Sequence, residues 1–148
     1  QVPAKVQIDM SALANEVATF LKDQGAFAPA ATLEIGKGLY ATGDPHLVRI
    51  VIENLLENSG KYSAQVERPK ISFGKEGGAF FVRDNGIGFD MRFVNKLFLP
   101  FERLHRESKI TGSGIGLANV KRIVERHGGK VWAESKVGEG ATFFFTLE

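Results

Sequence analysis

The sequence predicts an α+β domain in which a mostly antiparallel sheet carries its helices on one face. The predicted order of elements is strand, helix, two strands, helix, two strands, helix and two strands. Helices never alternate singly with strands, which disfavours a doubly wound parallel sheet. Apolar residues make up 43% of the 148 positions, which is typical of one globular domain with its own core.

The first part of the chain predicts one helix and three short strands. Val6 to Met10 alternates in the manner of a strand. Ser11 is the predicted N-cap of a helix from Ala12 to Gln24, because its hydroxyl can accept a hydrogen bond from the first turn. Thr32 to Ile35 and Leu39 to Thr42 are predicted strands on either side of a glycine turn.

Asp44 and Pro45 predict the start of the second helix, since an acidic N-cap followed by proline favours helix initiation. This helix is predicted to continue to about Ser59. Ile71 to Phe73 and Ala79 to Val82 then predict a hairpin.

The last part of the chain predicts the third helix and two closing strands. Met91 to Leu97 predicts one or two helical turns, and the polar segment 105–111 predicts a loop. Leu117 to His127 is the third helix, which two glycines end. Lys130 to Glu134 and Ala141 to Leu147 are the closing strands.

Composition argues against several classes of function. The net charge of +2 is small and the charges are scattered, so nucleic-acid binding is not expected. The absence of cysteine excludes disulfides and thiolate metal sites. No apolar run approaches the roughly 20 residues that span a bilayer, and no signal peptide is visible. We therefore expect no membrane contact by this domain.

Two glycine-rich stretches, residues 84–89 and 112–117, carry the strongest functional signal. The first follows a predicted strand and turns sharply, and the second opens a predicted helix. Glycine lets a backbone approach a bound group closely, and the N–H groups at a helix start suit phosphate. We interpret the two stretches as a nucleotide pocket, with the base near Asp84 and the phosphates near Gly112 to Gly116.

The second stretch matches neither of two common phosphate loops. No Gly-Lys-Ser/Thr follows it, which excludes a Walker loop, and a polar loop rather than a strand precedes it, which excludes the dinucleotide fingerprint. Upstream lie Phe98, Phe101 and a locally basic loop that contains Arg103 and His105. The two rings either cover the core or flank a lid over the phosphates.

The second helix places two amides in an otherwise apolar stripe. At about 100° per residue, one arc holds Leu47, Ile50, Val51, Asn54, Asn58 and Lys61. A buried amide without a partner is costly, so Asn54 and Asn58 either bond to neighbouring backbone or face a ligand. An asparagine carbonyl can ligate Mg²⁺. Lys61 and Tyr62 follow, and the lysine is either solvated or close to a phosphate.

Several single residues have structural as well as functional interpretations. Asp84 either forms an ordinary Asp-Asn-Gly turn or accepts a hydrogen bond from an adenine amino group. His46 and His127 lie at helix ends, where capping or exposure is expected. Trp132 lies in a strand and is predicted to belong to the core.

Four stretches, in this order, resemble the N, G1, F and G2 boxes of the catalytic and ATP-binding domain of sensor histidine kinases. They are residues 54–62, 84–89, 98–103 and 112–117. The resemblance covers nearly the whole chain, and the part from Phe101 to Trp132 is similar to phytochrome-type and related bacterial kinases. Each box alone is a weak signal, whereas four in order are highly specific.

The resemblance implies the Bergerat fold, an α/β sandwich with a mixed sheet and three main helices, which binds ATP with Mg²⁺. By matching position, Asn58 would ligate the metal and would act in catalysis with Asn54, Lys61 and Arg103. Asp84 would bind the adenine amine. The other implied nucleotide-binding positions are Tyr62, Gly86, Ile87, Gly88, Phe101, Leu104, His105, Gly112, Ser113, Gly114, Ile115, Gly116, Leu117 and Thr142.

The resemblance also implies partners. The phosphoacceptor histidine of the family lies on a separate dimerisation hairpin, and no such motif precedes Asp44 here. We therefore expect a cytoplasmic ATP-binding half, monomeric in isolation, that acts with that hairpin and a downstream response regulator. Gly60 stands where a larger residue is usual, which is expected to loosen the end of the second helix.

Two rival functions remain at this point. Chaperone, topoisomerase, mismatch-repair and anti-sigma members of the same fold usually carry a glutamate one turn before the magnesium asparagine, where this chain has Asn54. An amide cannot act as the base, which favours the histidine kinase type. The second rival is a module that uses the fold only for protein contact, and the complete set of asparagines and glycines argues against it.

Overall fold

The computed structural model of the chain describes residues 5–99 and 116–147. The helices are α1 (Met10–Asp23), α2 (Pro45–Ser63) and α3 (Gly116–Arg126), with a short 3₁₀ helix at Met91–Lys96. The strands are β1 (Val6–Asp9), β2 (Thr32–Ile35), β3 (Tyr40–Gly43), β4 (Lys70–Glu76), β5 (Ala79–Asp84), β6 (Val131–Lys136) and β7 (Gly140–Phe145). This is the predicted order. Within these two described ranges, no helix combines the length and the apolar character needed to cross a bilayer.

The main sheet has five strands in the order β2-β4-β5-β7-β6. The β2–β4 pair is parallel and the other pairs are antiparallel, which confirms the mixed, mostly antiparallel sheet. β1 and β3 form a separate antiparallel pair. The two strands predicted on either side of the glycine turn therefore belong to different sheets, because β2 pairs with β4 while β3 pairs with β1.

The core lies between the main sheet and the three helices. Phe73, Val82, Phe143 and Ala133 stand side by side across four strands, and all are buried. α1 contacts β2, α2 contacts β4, β5 and β7, and α3 contacts β6. The predicted placement of the helices on one face is confirmed.

Trp132 lies on the other, helix-free face of the sheet, so its assignment to the core was wrong. It is 37% exposed and stacks on Phe144 with ring centroids 5.3 Å apart. Successive strand residues point to opposite faces, and the buried Ala133 takes the core position. One aromatic residue does not reveal which alternate residues of β6 face the core, because an exposed sheet face can also hold stacked rings.

The start of α1 also differs from the prediction. The N-cap is Asp9, whose Oδ1 accepts a hydrogen bond from the N–H of Ala12 at 2.9 Å. Ser11 lies inside the helix, and its hydroxyl donates to the carbonyl of Gly36 at 2.6 Å and accepts from the N–H of Leu39 at 3.0 Å. Ser11 thus ties α1 to the turn between β2 and β3.

α2 continues through Gly60 to Ser63, so this glycine does not end or interrupt the helix. Gly60 is buried. A Cβ there would lie 2.5 Å from the carbonyl oxygen of Ala26 and 2.8 Å from the ring of Phe27. The absence of a side chain lets the segment after α1 pack directly on α2.

We expect Gly60→Ala to lower the free energy of unfolding by about 1–3 kcal/mol, because the added methyl meets a backbone oxygen that cannot move away cheaply. The helix propensity of alanine acts in the opposite direction by up to about 1 kcal/mol. Urea unfolding measures the net sign. A G60A protein more stable than the wild type would contradict the close approach.

Candidate functional site

Asp84 is a buried carboxyl at the end of β5. Its residue is 5% exposed, and Oδ1 accepts a hydrogen bond from the N–H of Gly86 at 2.8 Å. Oδ2 is buried without a hydrogen-bond partner among the described residues. Buried polar atoms are nearly always paired, so Oδ2 is a free acceptor of the kind that a ligand amino group can satisfy.

The electrostatics of this carboxyl are set by burial and by nearby donors. Burial raises the pKa of Asp84, and the N–H of Gly86, the hydroxyl of Ser59 and the N–H of Ala141 oppose that rise in decreasing order. The Ser59 hydroxyl does not form a hydrogen bond with Oδ2, so Oγ of Ser59 and Oδ2 of Asp84 both lack a partner within the described ranges. Burial has the largest effect, so the pKa of Asp84 lies above its usual value although these donors favour the ionised form.

The glycine-rich loop after β5 is held between α2 and the β6–β7 hairpin. A Cβ at Gly86 would collide with the carbonyl of Tyr62, and one at Gly88 would collide with the carbonyl of Lys136. Gly88 also has φ +67°, which other residues rarely adopt. The N–H of Ile87 donates to the carbonyl of Tyr62 at 3.0 Å. These glycines are therefore required by backbone approach, in addition to any role toward a ligand.

Asn54 and Asn58 lie at the edge of the buried face of α2. Both are half-buried, so neither is sealed within the core formed by residues such as Leu55 and Leu56. A Cβ at Gly116 would lie 3.1 Å from Oδ1 of Asn54. The start of α3 thus contacts the amide face of α2, which brings the last glycine of the second stretch next to Asn54.

The end of α2 carries two more of the predicted residues. Lys61 and Tyr62 are half-buried in its last turns, and Leu117 is half-buried at the start of α3. Through the Ile87–Tyr62 hydrogen bond, the end of α2 is joined to the loop that follows Asp84. The described part of the predicted site therefore gathers around α2, with the loop at its end and α3 beside it.

Thr142 does not join this group. Its hydroxyl accepts a hydrogen bond from Nε of Arg83 at 3.1 Å, and the two residues are paired across β5 and β7. Asp84 is paired with Ala141. Because alternate residues point to opposite faces, Thr142 faces away from Asp84, and the residue of β7 beside the carboxyl is Ala141.

The other predicted positions lie outside the described residues. They are Phe101, Arg103, Leu104, His105, Gly112, Ser113, Gly114 and Ile115, together with the predicted lid at 105–111. Phe98 is described, and its ring lies edge-on to the buried ring of Phe143 with centroids 6.3 Å apart. Of the two interpretations of Phe98, covering the core is the one that this contact supports.

Comparison with known proteins agrees with this geometry. A family profile described as histidine kinase-, DNA gyrase B- and HSP90-like ATPase matches residues 43–148. The chain belongs to this ATPase family. The match includes α2, the loop after β5 and α3, which are the elements that form the described site.

Two similar proteins are a phytochrome and a histidine kinase. The ATPase domain is 43% identical over 109 residues to cyanobacterial phytochrome A of Nostoc sp. PCC 7120, covering 71% of this chain and 14% of that protein. It is 45% identical over 104 residues to the methanogenesis regulatory histidine kinase FilI of Methanothrix harundinacea, covering 68% of this chain and 12% of that protein. The chain thus spans less than a fifth of the length of these relatives, whose type agrees with the resemblance found in the sequence.

A solved structure confirms the fold. The mycobacterial sensor histidine kinase MprB matches with a TM-score of 0.75 at 20% identity, over 97% of both chains. At this identity the match supports the fold alone, and it confirms the α/β sandwich of the Bergerat type.

The donor set of the ATPase domain fits Mg²⁺ bound mainly through a ligand. Residues 5–99 and 116–147 contain no cluster of three histidine, cysteine, aspartate or glutamate side chains that could hold a metal ion. Mg²⁺ commonly takes one or two protein oxygens together with substrate phosphates and waters. The half-buried amide of Asn58 can supply such an oxygen.

A groove on the helix-free face is not assigned to the nucleotide. This groove of about 710 Å³ lies over β2, β4 and β5, and it reaches Asp84 at the end of β5. Most of its lining from β4 and β5, namely Ser72, Gly74, Phe81 and Arg83, alternates with the core residues Phe73 and Val82 and so points away from α2 and α3. Neither Asn54 nor Asn58 lines this groove.

His127 is a residue of the ATPase domain that sequence reasoning placed only at a helix end. It is 1% exposed, its Nδ1 lies 2.9 Å from the carbonyl of Ile123, and its Nε2 accepts the N–H of Asp44 at 3.0 Å. These contacts assign the neutral tautomer with the proton on Nδ1. His127 therefore caps the end of α3 and joins it to the N-cap of α2, which sets the spacing of the two helices.

We expect His127→Leu to lower the free energy of unfolding by about 2–4 kcal/mol, because it removes a buried imidazole and the partner of the part-buried backbone N–H of Asp44 at the α2–α3 junction. The matched control is His46→Leu, since His46 is exposed in the first turn of α2, and it should change stability by less than about 0.5 kcal/mol. Urea unfolding of both variants checks this. Equal effects would contradict the joining role of His127.

Proposed function

We propose that this chain is the catalytic domain of a protein histidine kinase that binds Mg·ATP. In this proposal it supplies the γ-phosphoryl group to a histidine on a separate dimerisation hairpin, in cytoplasmic two-component signalling with a downstream response regulator. The observation that carries the proposal is the free buried acceptor of Asp84 at the end of β5, a strand that contacts α2. The family to which the chain belongs supports ATP as the nucleotide.

The base would be bound by Asp84. When ionised, this carboxyl only accepts hydrogen bonds, and the 6-amino group of adenine donates one. Oδ1 is already held by Gly86, while Oδ2 is free among the described residues. The loop after β5 would lie against the edge of the base, because Gly86 and Gly88 have no side chains and present only backbone there.

The phosphates would lie along α2 toward the start of α3. Asn58 would hold the metal through its carbonyl oxygen, and Lys61, three residues later on the same helix, would reach a phosphate oxygen. Gly116 at the first turn of α3 would present backbone N–H groups to the phosphates. Bound Mg²⁺ neutralises charge on the phosphate oxygens during phosphoryl transfer. Arg103 is a further candidate for contact with the phosphates.

The transfer step needs a second domain. The bond between the γ-phosphorus and the β–γ bridging oxygen breaks in line with the attacking imidazole nitrogen, a P–N bond forms, and ADP leaves. The base that accepts the imidazole proton would come from the hairpin domain. Asn54 faces α3 but carries an amide, which cannot take a proton from water, so direct ATP hydrolysis is disfavoured. A steady ATPase activity that collapsed on Asn54→Ala would favour the hydrolysing members of the family instead.

We expect Asn58→Ala to weaken ATP binding at least tenfold in the presence of Mg²⁺, a change of about 1.4 kcal/mol, and far less in EDTA. The reason is that the lost amide oxygen would ligate Mg²⁺, so its removal matters mainly when the metal is present. Calorimetry with and without Mg²⁺ measures both values. Asn15→Ala is the control, since Asn15 lies on the exposed side of α1. An equal loss with and without metal would argue against Asn58 as the ligand.

We expect the chain to label the histidine-bearing hairpin of its parent kinase when the two are mixed with [γ-³²P]ATP and Mg²⁺. Labelling should disappear on replacement of the acceptor histidine by alanine and should fall with Asn58→Ala. Acid-labile, base-stable label on the hairpin identifies phosphohistidine. A hairpin that binds the chain in a pull-down yet stays unlabelled would count against the proposed transfer.

A further inference from the structure

Two buried oxygen atoms in the described residues lack hydrogen-bond partners, and they belong to the same site. They are Oγ of Ser59 in α2 and Oδ2 of Asp84 in β5. Ser59 is fully buried and Asp84 is 5% exposed. Unpaired buried polar atoms are rare and call for an explanation. Two of them on different elements, at the carboxyl proposed to bind the base, point to a shared role.

The conformation of Ser59 indicates what that role is. A serine inside a helix commonly returns its hydroxyl to the carbonyl four residues earlier, which here is Leu55. Ser59 does not do so, because its Oγ has no partner in the described ranges. The Ser59 hydroxyl instead offsets part of the rise that burial causes in the pKa of Asp84. α2, which carries Ser59, packs against β5, which ends at Asp84, so the two unpaired buried oxygens belong to elements in direct contact.

We propose that Ser59 is a positioning residue for base recognition, whose hydroxyl holds Oδ2 of Asp84 so that the carboxyl discriminates a 6-amino from a 6-oxo purine. The inference rests on the proposed function, since it concerns how the same site selects its nucleotide. Ser59 acts through Asp84 and is not assigned any contact with the nucleotide itself.

The chemistry of the two purines explains why orientation matters. A carboxylate only accepts hydrogen bonds, so it pairs with the 6-amino group of adenine and repels the 6-oxo group of guanine. Gly86 holds Oδ1, and Ser59 would hold Oδ2. Each carboxylate oxygen has a second lone-pair direction that stays available to the base. A carboxyl held at both oxygens cannot turn to lessen the repulsion, whereas one held only by Gly86 can.

The same helix offers a matched control. Ser63 lies four residues after Ser59, is 1% exposed and has the same side chain, but it is not among the groups that affect Asp84. Replacing either serine by alanine removes one buried oxygen from α2. Since alanine is the residue most favoured in helices, both variants should retain the fold, which urea unfolding checks.

The test compares three nucleotides by calorimetry in the presence of Mg²⁺: ATP, GTP and purine riboside triphosphate, which lacks the 6-amino group. For Ser59→Ala we expect the affinity for ATP to fall about tenfold and the ATP-to-GTP affinity ratio to fall by a similar factor. Affinity for purine riboside triphosphate should change less than about threefold, because it offers Asp84 no donor. Ser63→Ala should leave the ATP-to-GTP ratio unchanged.

Each other outcome overturns the inference in a distinguishable way. If the wild-type chain binds no ATP, the proposed function fails and this inference fails with it. If the wild type binds ATP but Ser59→Ala weakens all three nucleotides equally, the proposed function stands and Ser59 merely supports the pocket. An unchanged ATP-to-GTP ratio in Ser59→Ala, or an equal fall in Ser63→Ala, rejects the positioning role.

Discussion

The burial of the Asp84 carboxyl is the constraint on which the described site depends. Taking a carboxylate out of water is costly unless donors replace the lost hydration. Here the donors come from the loop after β5, from α2 and from β7. The backbone closes around the same point, since a Cβ at Gly140 would collide with the carbonyl of Asp84. Three elements distant in sequence must therefore meet before this carboxyl can be accommodated, so folding and site assembly are the same event.

α2 connects this carboxyl to the rest of the candidate site. One face of the helix packs in the core, and the adjoining edge carries the amides of the candidate site. One face buries Val51, Ile52 and Leu55, while the adjoining edge leaves Asn54 and Asn58 half-buried. Both ends of the helix are fixed. His127 bonds to the N-cap residue, and Gly60 admits the backbone that follows α1. The two amides are therefore carried by a helix that is fixed at both ends.

The elements predicted correctly are those with local causes. The Asp44–Pro45 start of α2 depends on a cap and a fixed φ, and the β4–β5 hairpin depends on two strands around a glycine turn. The elements missed have non-local causes. Ser11 does not cap α1, because its hydroxyl is hydrogen-bonded to the backbone of Gly36 and Leu39 instead. Trp132 and Thr142 face the helix-free side of the sheet. Which alternate residues of β6 and β7 face the helices is decided only by how these strands pair with their neighbours.

By itself, the sequence determined the order of elements, the mixed α/β class, the family and the identity of Asn58, Asp84 and the glycines as candidates. Motif spacing carries that information, because residue types and turns are local properties. Only the tertiary structure decided that Asp84 is buried with one free oxygen, that the Ser59 hydroxyl is buried without a partner among the described residues, and that His127 joins α2 to α3. Those facts depend on contacts between residues far apart in the chain, and such contacts arise only when the sheet and the helices pack together.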